Sequence, residues 1–146
     1  MSRIYYRVVG FGGRGYKDRA NVFAWLDEMD LQFPISHLIH GDYAGADKLC
    51  DEWAILRGRQ PVRCPALWVQ HGKKAGPMRN QAMVELRPHL GIAFPGNNGT
   101  ADMLERCKAA KIQVVQAFDV SAQQAALRIS LAIDSAALKA ARGETP

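Results

Sequence analysis

The sequence predicts an α/β protein: a doubly wound, parallel five-stranded sheet in the order 3-2-1-4-5, with helices on both faces. Three observations predict it. Short apolar runs alternate with helical stretches along the whole chain. Loops rich in glycine and other small residues follow the first, second and fourth apolar runs. The length of 146 residues supports a single domain, 1–146, with a core of its own. Right-handed crossovers then leave few strand orders.

Residues 4–10, with Val8 and Val9, read as the first strand, and residues 10–15 as a glycine-rich turn. Asp18 is placed to cap a helix in which Val22, Phe23, Leu26 and Met29 recur at helical spacing. Pro34 ends that segment, and residues 35–40 read as the second strand. A small-residue loop, 41–45, leads into a helix with Leu49, Cys50, Trp53, Ala54 and Leu56 on one side, stopped by Gly58. Residues 61–64 read as the third strand. Residues 65–76 form a loop of the length that marks functional or mobile segments.

Gly76-Pro77 is expected to open the third helix, because proline suits the first helical position. Residues 90–94 form the fourth strand, 95–100 a third glycine-rich loop, 101–110 the fourth helix and 112–118 the fifth strand. Ser121 with Gln124 matches a capping box for one last helix reaching Arg142. Its Leu127, Leu131 and Leu138, with Ile129 and Ile133 nearby, make a wide apolar face for the sheet, a second subunit, or both. The core is therefore expected over 4–118 and a packing or oligomerisation helix over 121–142, with a frayed tail behind it.

Lys and Arg outnumber Asp and Glu by 19 to 14, a net charge of +5 that favours anionic partners. The cations are spread without a long run. No stretch of 18 apolar residues exists, so no membrane-spanning helix is expected. The N-terminus lacks signal-peptide anatomy, and a cytoplasmic location is expected. Cys50, Cys64 and Cys107 have no CxxC spacing, and His37, His40, His71 and His89 have no metal-ligand spacing. Neither a disulfide framework, a metal nor a resident cofactor is expected.

In the order 3-2-1-4-5 the chain reverses direction between the first and fourth strands. Ligands bind at such a switch point, outside the carboxyl ends of the strands. The glycine loops leaving those two strands meet there. Residues 10–15 fit GxGxxG, yet the helix starts late and Ile35 stands where a dinucleotide site has its acid. The loop with Gly12, Gly13 and Arg14 is read either as a phosphate or ribose contact or as a tight turn with a solvated Arg14.

The loop Gly96-Asn97-Asn98-Gly99-Thr100 follows a strand and opens a helix, so it is read either as glycines and free amides that suit a phosphate or as a left-handed turn capped by Thr100. Lys74, Arg79 and Asn80 belong to the densest cationic segment, 71–80. Arg79 in a first helical turn would oppose the helix dipole unless an anion sat beside it. Gly41 and Asp47 border the second loop, where Asp47 fits either a helix cap or a place beside the crevice. Trp25 and Trp53 read as core, and Trp68, in the long loop, as a platform for a base.

Taken in order, these segments resemble the YspA-like branch of the SLOG superfamily, a Rossmann-like group that includes the LOG phosphoribohydrolases and DprA. The residues that carry the resemblance are Gly12-Gly13-Arg14 with Asp18, His40 through Asp47, Pro65 through Trp68, Gly72 through Met83, and Phe94 through Met103. It implies a nucleotide-derived or ADP-ribose-like ligand. LOG enzymes cleave the N-glycosidic bond of a nucleoside monophosphate. Arg79 falls on their catalytic arginine, and Asp102 falls on their carboxylate position. Two departures stand out: Asn97 replaces a glycine of the LOG loop, and Asp102 is shorter than the LOG glutamate. Hydrolysis therefore has two alternatives: a non-catalytic sensor or sponge of a nucleotide signal, or a DprA-like single-strand DNA binder. The resemblance also favours a homodimer or larger assembly.

Overall fold

The computed structural model describes residues 4–118 and 121–142. Five strands, β1 (Tyr6–Phe11), β2 (Ile35–His40), β3 (Gln60–Arg63), β4 (Leu90–Ala93) and β5 (Gln113–Gln116), form one parallel sheet in the order β3-β2-β1-β4-β5. This is the Rossmann-like doubly wound fold, with its switch point between β1 and β4. Apolar residues alternate between the two faces, as a strand's period of two requires. Val8, Leu38 and Ile92 enter the core on one face, and Val9, Ile39 and Ala93 enter the other.

On the first face lie α1 (Arg19–Gln32), α2 (Ala46–Leu56), α6 (Ala122–Ala132) and α7 (Ser135–Ala141). The second is covered by α4 (Ala75–Glu85) and α5 (Asn98–Ala109), through Met83, Val84, Met103 and Cys107. Asp18 caps α1 by accepting the Asn21 amide at 3.0 Å, as its position predicts. Trp25 and Trp53 are fully buried, their indole N–H groups bonded to the Phe118 carbonyl and to Asp27. Cys50 and Cys107 are buried thiols in the two cores.

Several boundaries differ from expectation. The segment after β3 is not all loop: it holds the single turn α3 (Trp68–His71) and a 3-10 turn, Gly72–Lys74. α4 then starts at Ala75, which leaves Arg79 in its second turn, so the proposed conflict with the first-turn dipole does not arise. α5 starts at Asn98, three residues earlier than expected.

The last helix is two. The Ser121–Gln124 capping box is present, but the chain turns extended at Ile133, and Asp134 caps α7 through the Ala137 amide. That break turns Ala125, Ile129, Ile133 and Leu138 onto the core and leaves Leu127 and Leu131 exposed. Residues 143–146 lie outside the described residues. Among the described residues no helix is long and apolar enough to cross a membrane.

Candidate functional site

At the carboxyl ends of the strands, three loops meet: 12–15 after β1, 41–45 after β2 and 94–97 after β4. Backbone bonds tie them together. The Gly13 amide donates to the Pro95 carbonyl at 2.9 Å, and the Gly13 carbonyl accepts the Ala46 amide at 3.1 Å. Such close approach excludes side chains. A Cβ on Gly12 would stand 2.8 Å from the Ala46 Cβ and 2.9 Å from the Phe94 Cβ. Gly45 has φ +79° and turns the chain into α2 against the Gly13 carbonyl, a place only glycine occupies without strain.

Above these loops lies a cleft of about 710 Å³. Among the predicted site residues, Gly12, Gly13, Arg14, Asp47, Trp68, Arg79, Asn80, Asn97, Asn98, Gly99, Thr100 and Asp102 line it. Three do not. Lys74 is exposed at the end of the 3-10 turn, outside the lining. Gly41 lies beneath, where a Cβ would meet the Arg79 guanidinium and the Asp47 carboxylate. Gly96 is packed into the loop junction, where a Cβ would meet the Gly13 amide at 2.6 Å and the Thr100 side chain.

No side chain caps α5, so its first-turn amides stay open where residues 97–100 line the cleft. α2, with Gly45 at its cap position, likewise has no side-chain cap. Helices α1, α6 and α7, in contrast, carry side-chain caps.

Arg79 is half-buried and held at two points. Its Nη1 donates to the Gly41 carbonyl at 2.6 Å and its Nε to Asn80 Oδ1 at 3.0 Å. The Asn80 amide donates onward to Asp102 Oδ2 at 2.9 Å and to the Gly99 carbonyl at 3.3 Å. Buried Asn80 thus joins Arg79 to Asp102, two residues that do not pair directly. Asp102 Oδ2 also accepts from Arg106 Nε at 2.8 Å, one turn along α5. Partial burial works to raise the Asp102 pKa, but the bonds from Arg106 and Asn80 outweigh it and hold the carboxyl below its ordinary value.

Asp47 is the opposite case. It sits in the first turn of α2, 6% exposed, and Gly45 rather than Asp47 holds the cap position. Burial drives its pKa up to about 6, against the nearby Arg79 charge and the amides of Tyr43 and Gly41 that donate to it.

Much of the apolar lining is not marked in the sequence. Tyr43 faces Trp68 with ring centroids 6.2 Å apart and planes at 55°, and Met83 and Met103 lie deeper. Tyr43, sitting in the same loop as Gly41, was the legible signal. The two methionines read as ordinary helix-face residues. Trp68 is 45% exposed, and its ring edge packs 3.3 Å from where a Gly76 Cβ would be.

A second network supports the β2 loop. His40, fully buried, accepts the Asp42 amide on Nδ1 at 2.9 Å, so its Nε2–H donates to Asp51 at 2.7 Å. Arg63 clasps the same Asp51 through two bonds. The turn at Gly41, whose carbonyl anchors Arg79, is thereby fixed from below. Among the described residues no group of three His, Cys, Asp or Glu side chains is arranged to hold a metal ion.

The model of the YspA, cpYpsA-related SLOG family matches residues 6–71. The Gene 61 protein of Mycobacterium phage D29 is 35% identical over 117 residues, covering 75% of this chain and 94% of that protein. The chain belongs to the YspA-related SLOG family. Family and fold together support a nucleotide-binding function in general. The segment matched by the family model carries the β1 and β2 loops, Asp47 and Trp68. Arg79, Asn80 and the loop at the start of α5 lie beyond it.

Proposed function

We propose that the cleft binds a nucleoside monophosphate or an ADP-ribose-like nucleotide, and that it hydrolyses the N-glycosidic bond of that ligand. One observation carries this reading: the uncapped start of α5 and the fixed Arg79 border the same cleft, with Tyr43 and Trp68 also in its lining. Helix amides and a guanidinium suit a phosphate, and aromatic faces suit a base. Gly99, Thr100 and the amides around them hold the phosphate, with Arg79 orienting it. Asp102 Oδ1, which accepts from no described residue, faces the charge that develops on the ribose. A carboxylate in that role stabilises an oxocarbenium-like centre.

A sensor or sponge is the second reading, and the ion pair of Asp102 with Arg106 favours it, because that carboxylate is already neutralised. A small ligand is preferred to single-stranded DNA. Arg19, Arg57, Arg59, Arg63 and Arg106 are all paired with acids, which reduces the cationic surface open to a polyanion.

The test is incubation of the protein with a panel of nucleoside 5′-monophosphates and linear and cyclic ADP-ribose, followed by mass spectrometry of free base and protein-bound ligand. Hydrolysis predicts free base, lost on Arg79→Ala and on Asp102→Asn by at least about a hundredfold, with melting curves showing intact folds. Ligand recovered intact assigns the sensor role, and no bound ligand at all removes both.

We also assign the exposed Leu127 and Leu131 of α6 to the contact of a homo-oligomer in the cytoplasm. Light scattering should then give a dimer or larger species at micromolar concentration, converted to monomer by Leu127→Glu with Leu131→Glu. A wild-type monomer contradicts the assignment.

A further inference from the structure

Two acids line the cleft, Asp47 and Asp102. Arg106 pairs with Asp102 and favours its charged form, so Asp102 is suited to standing charge and poorly suited to exchanging a proton. Asp47 differs in every respect. It is more than nine-tenths buried, and no Lys, Arg or His among the described residues forms an ion pair with it. Its carboxylate is held by the amides of Gly41 and Tyr43. It also shares the space over Gly41 with Arg79: a Cβ placed there would meet both groups, with Asp47 Oδ2 at 2.8 Å. Burying an acid without a pairing cation costs stability, and this one is buried at the wall of the ligand cleft.

We propose that Asp47 is the proton acceptor of the cleft, its carboxylate taking the proton of the water that attacks C1′ of the bound nucleotide. This rests on the hydrolytic reading above and adds a catalytic residue to it. The water oxygen forms its bond to C1′ as the C1′–N bond breaks, the electron pair leaving with the base. The water proton passes to Asp47, and the departing base takes a proton from solvent. Asp47 returns its own proton to solvent after product leaves. Nothing is oxidised or reduced.

The groups around Asp47 suit the role. Arg79 from α4 favours its charged form, and Asp42 in the loop after β2 opposes it. Cys50, one turn along α2, is fully buried. Burial first, with the Asp47 and Asp51 charges behind it, pushes its thiol well up, so it stays protonated while Asp47 titrates. Arg14 of the β1 loop lines the same cleft. The carboxyl is left exchanging its proton at about pH 6, close to neutral, as a general base requires.

The experiment measures kcat against pH for base release from nucleoside 5′-monophosphates by wild type and Asp47→Asn, with calorimetric binding of the same nucleotides. Wild-type kcat should fall on the acid side with a midpoint near pH 6. Asp47→Asn should bind within roughly fivefold of wild type while kcat drops about 10²–10⁴-fold and the acid limb disappears. Wild-type kcat and an unchanged acid limb in Asp47→Asn overturn this inference alone. So does a wild-type profile with no acid limb, which needs no variant. Binding without any base release from wild type overturns the hydrolytic reading and this inference with it.

Discussion

Asp47 and Asp102 illustrate how little the residue type says about a carboxyl group. Both were readable as candidates, Asp47 from its place after the second small-residue loop and Asp102 from the resemblance of its loop, and both line the cleft. Their difference was not legible, because it depends on side-chain bonds from Arg106 and Asn80 to one, and on deep burial with no ion pair for the other. Asn80 was expected to touch ligand, and it does line the cleft. Its amide is also committed on both sides, bridging Arg79 to Asp102, which only the packing of α4 on α5 could show. The Asp47 environment has a consequence for stability. Its folded pKa, about 6, lies above the unfolded value of 3.8, so the folded state holds the proton more tightly. Below about pH 4 both states are protonated and the group costs nothing. Stability is lost as pH rises from about 4 to 6, on the order of 3 kcal/mol, and the loss is complete above that. Urea unfolding at pH 4 and pH 7.5 should therefore show Asp47→Asn gaining on wild type at the higher pH. An equal difference at both pH values contradicts the burial.

At the scale of elements, the strands and the starts of α1, α2 and α6 were readable, and the starts of α4, α5 and α7 were not. Asp18 and Ser121 announce α1 and α6 because a side chain does the capping. α4 and α5 begin earlier than expected because no side chain marks their first residue. The break between α6 and α7 was hidden by continuous helical spacing, although Asp134 is a residue of the capping kind. Glycine loops were readable as loops, and their role as spacers needed the structure. Gly45 holds φ +79° against the β1 loop, so Gly45→Ala should cost at least about 1–3 kcal/mol in unfolding experiments. It should also weaken nucleotide binding, since the β1 and β2 loops would part. Unchanged stability and binding would show that the loops do not depend on this contact.

The whole molecule was the most legible level. Alternation of apolar runs with helices, together with handedness, left few strand orders, and the expected β3-β2-β1-β4-β5 is the one observed, which also locates the end of the sheet where a ligand is expected. The helix amides, Arg79 and Trp68 were each read from the sequence; that Tyr43 joins Trp68, and that Gly41 and Asn80 fix the guanidinium, was not. These parts come from α5, α4, the β2 loop and α3, far apart in sequence. The central claim is that this cleft is the nucleotide site. Its most direct test is amide chemical-shift mapping of the full chain titrated with nucleoside 5′-monophosphates. Nucleotide binding in this cleft should give saturable shifts centred on residues 12–15, 41–47, 79–80 and 97–102. Shifts confined to the opposite end of the sheet, or none at millimolar nucleotide, would contradict it.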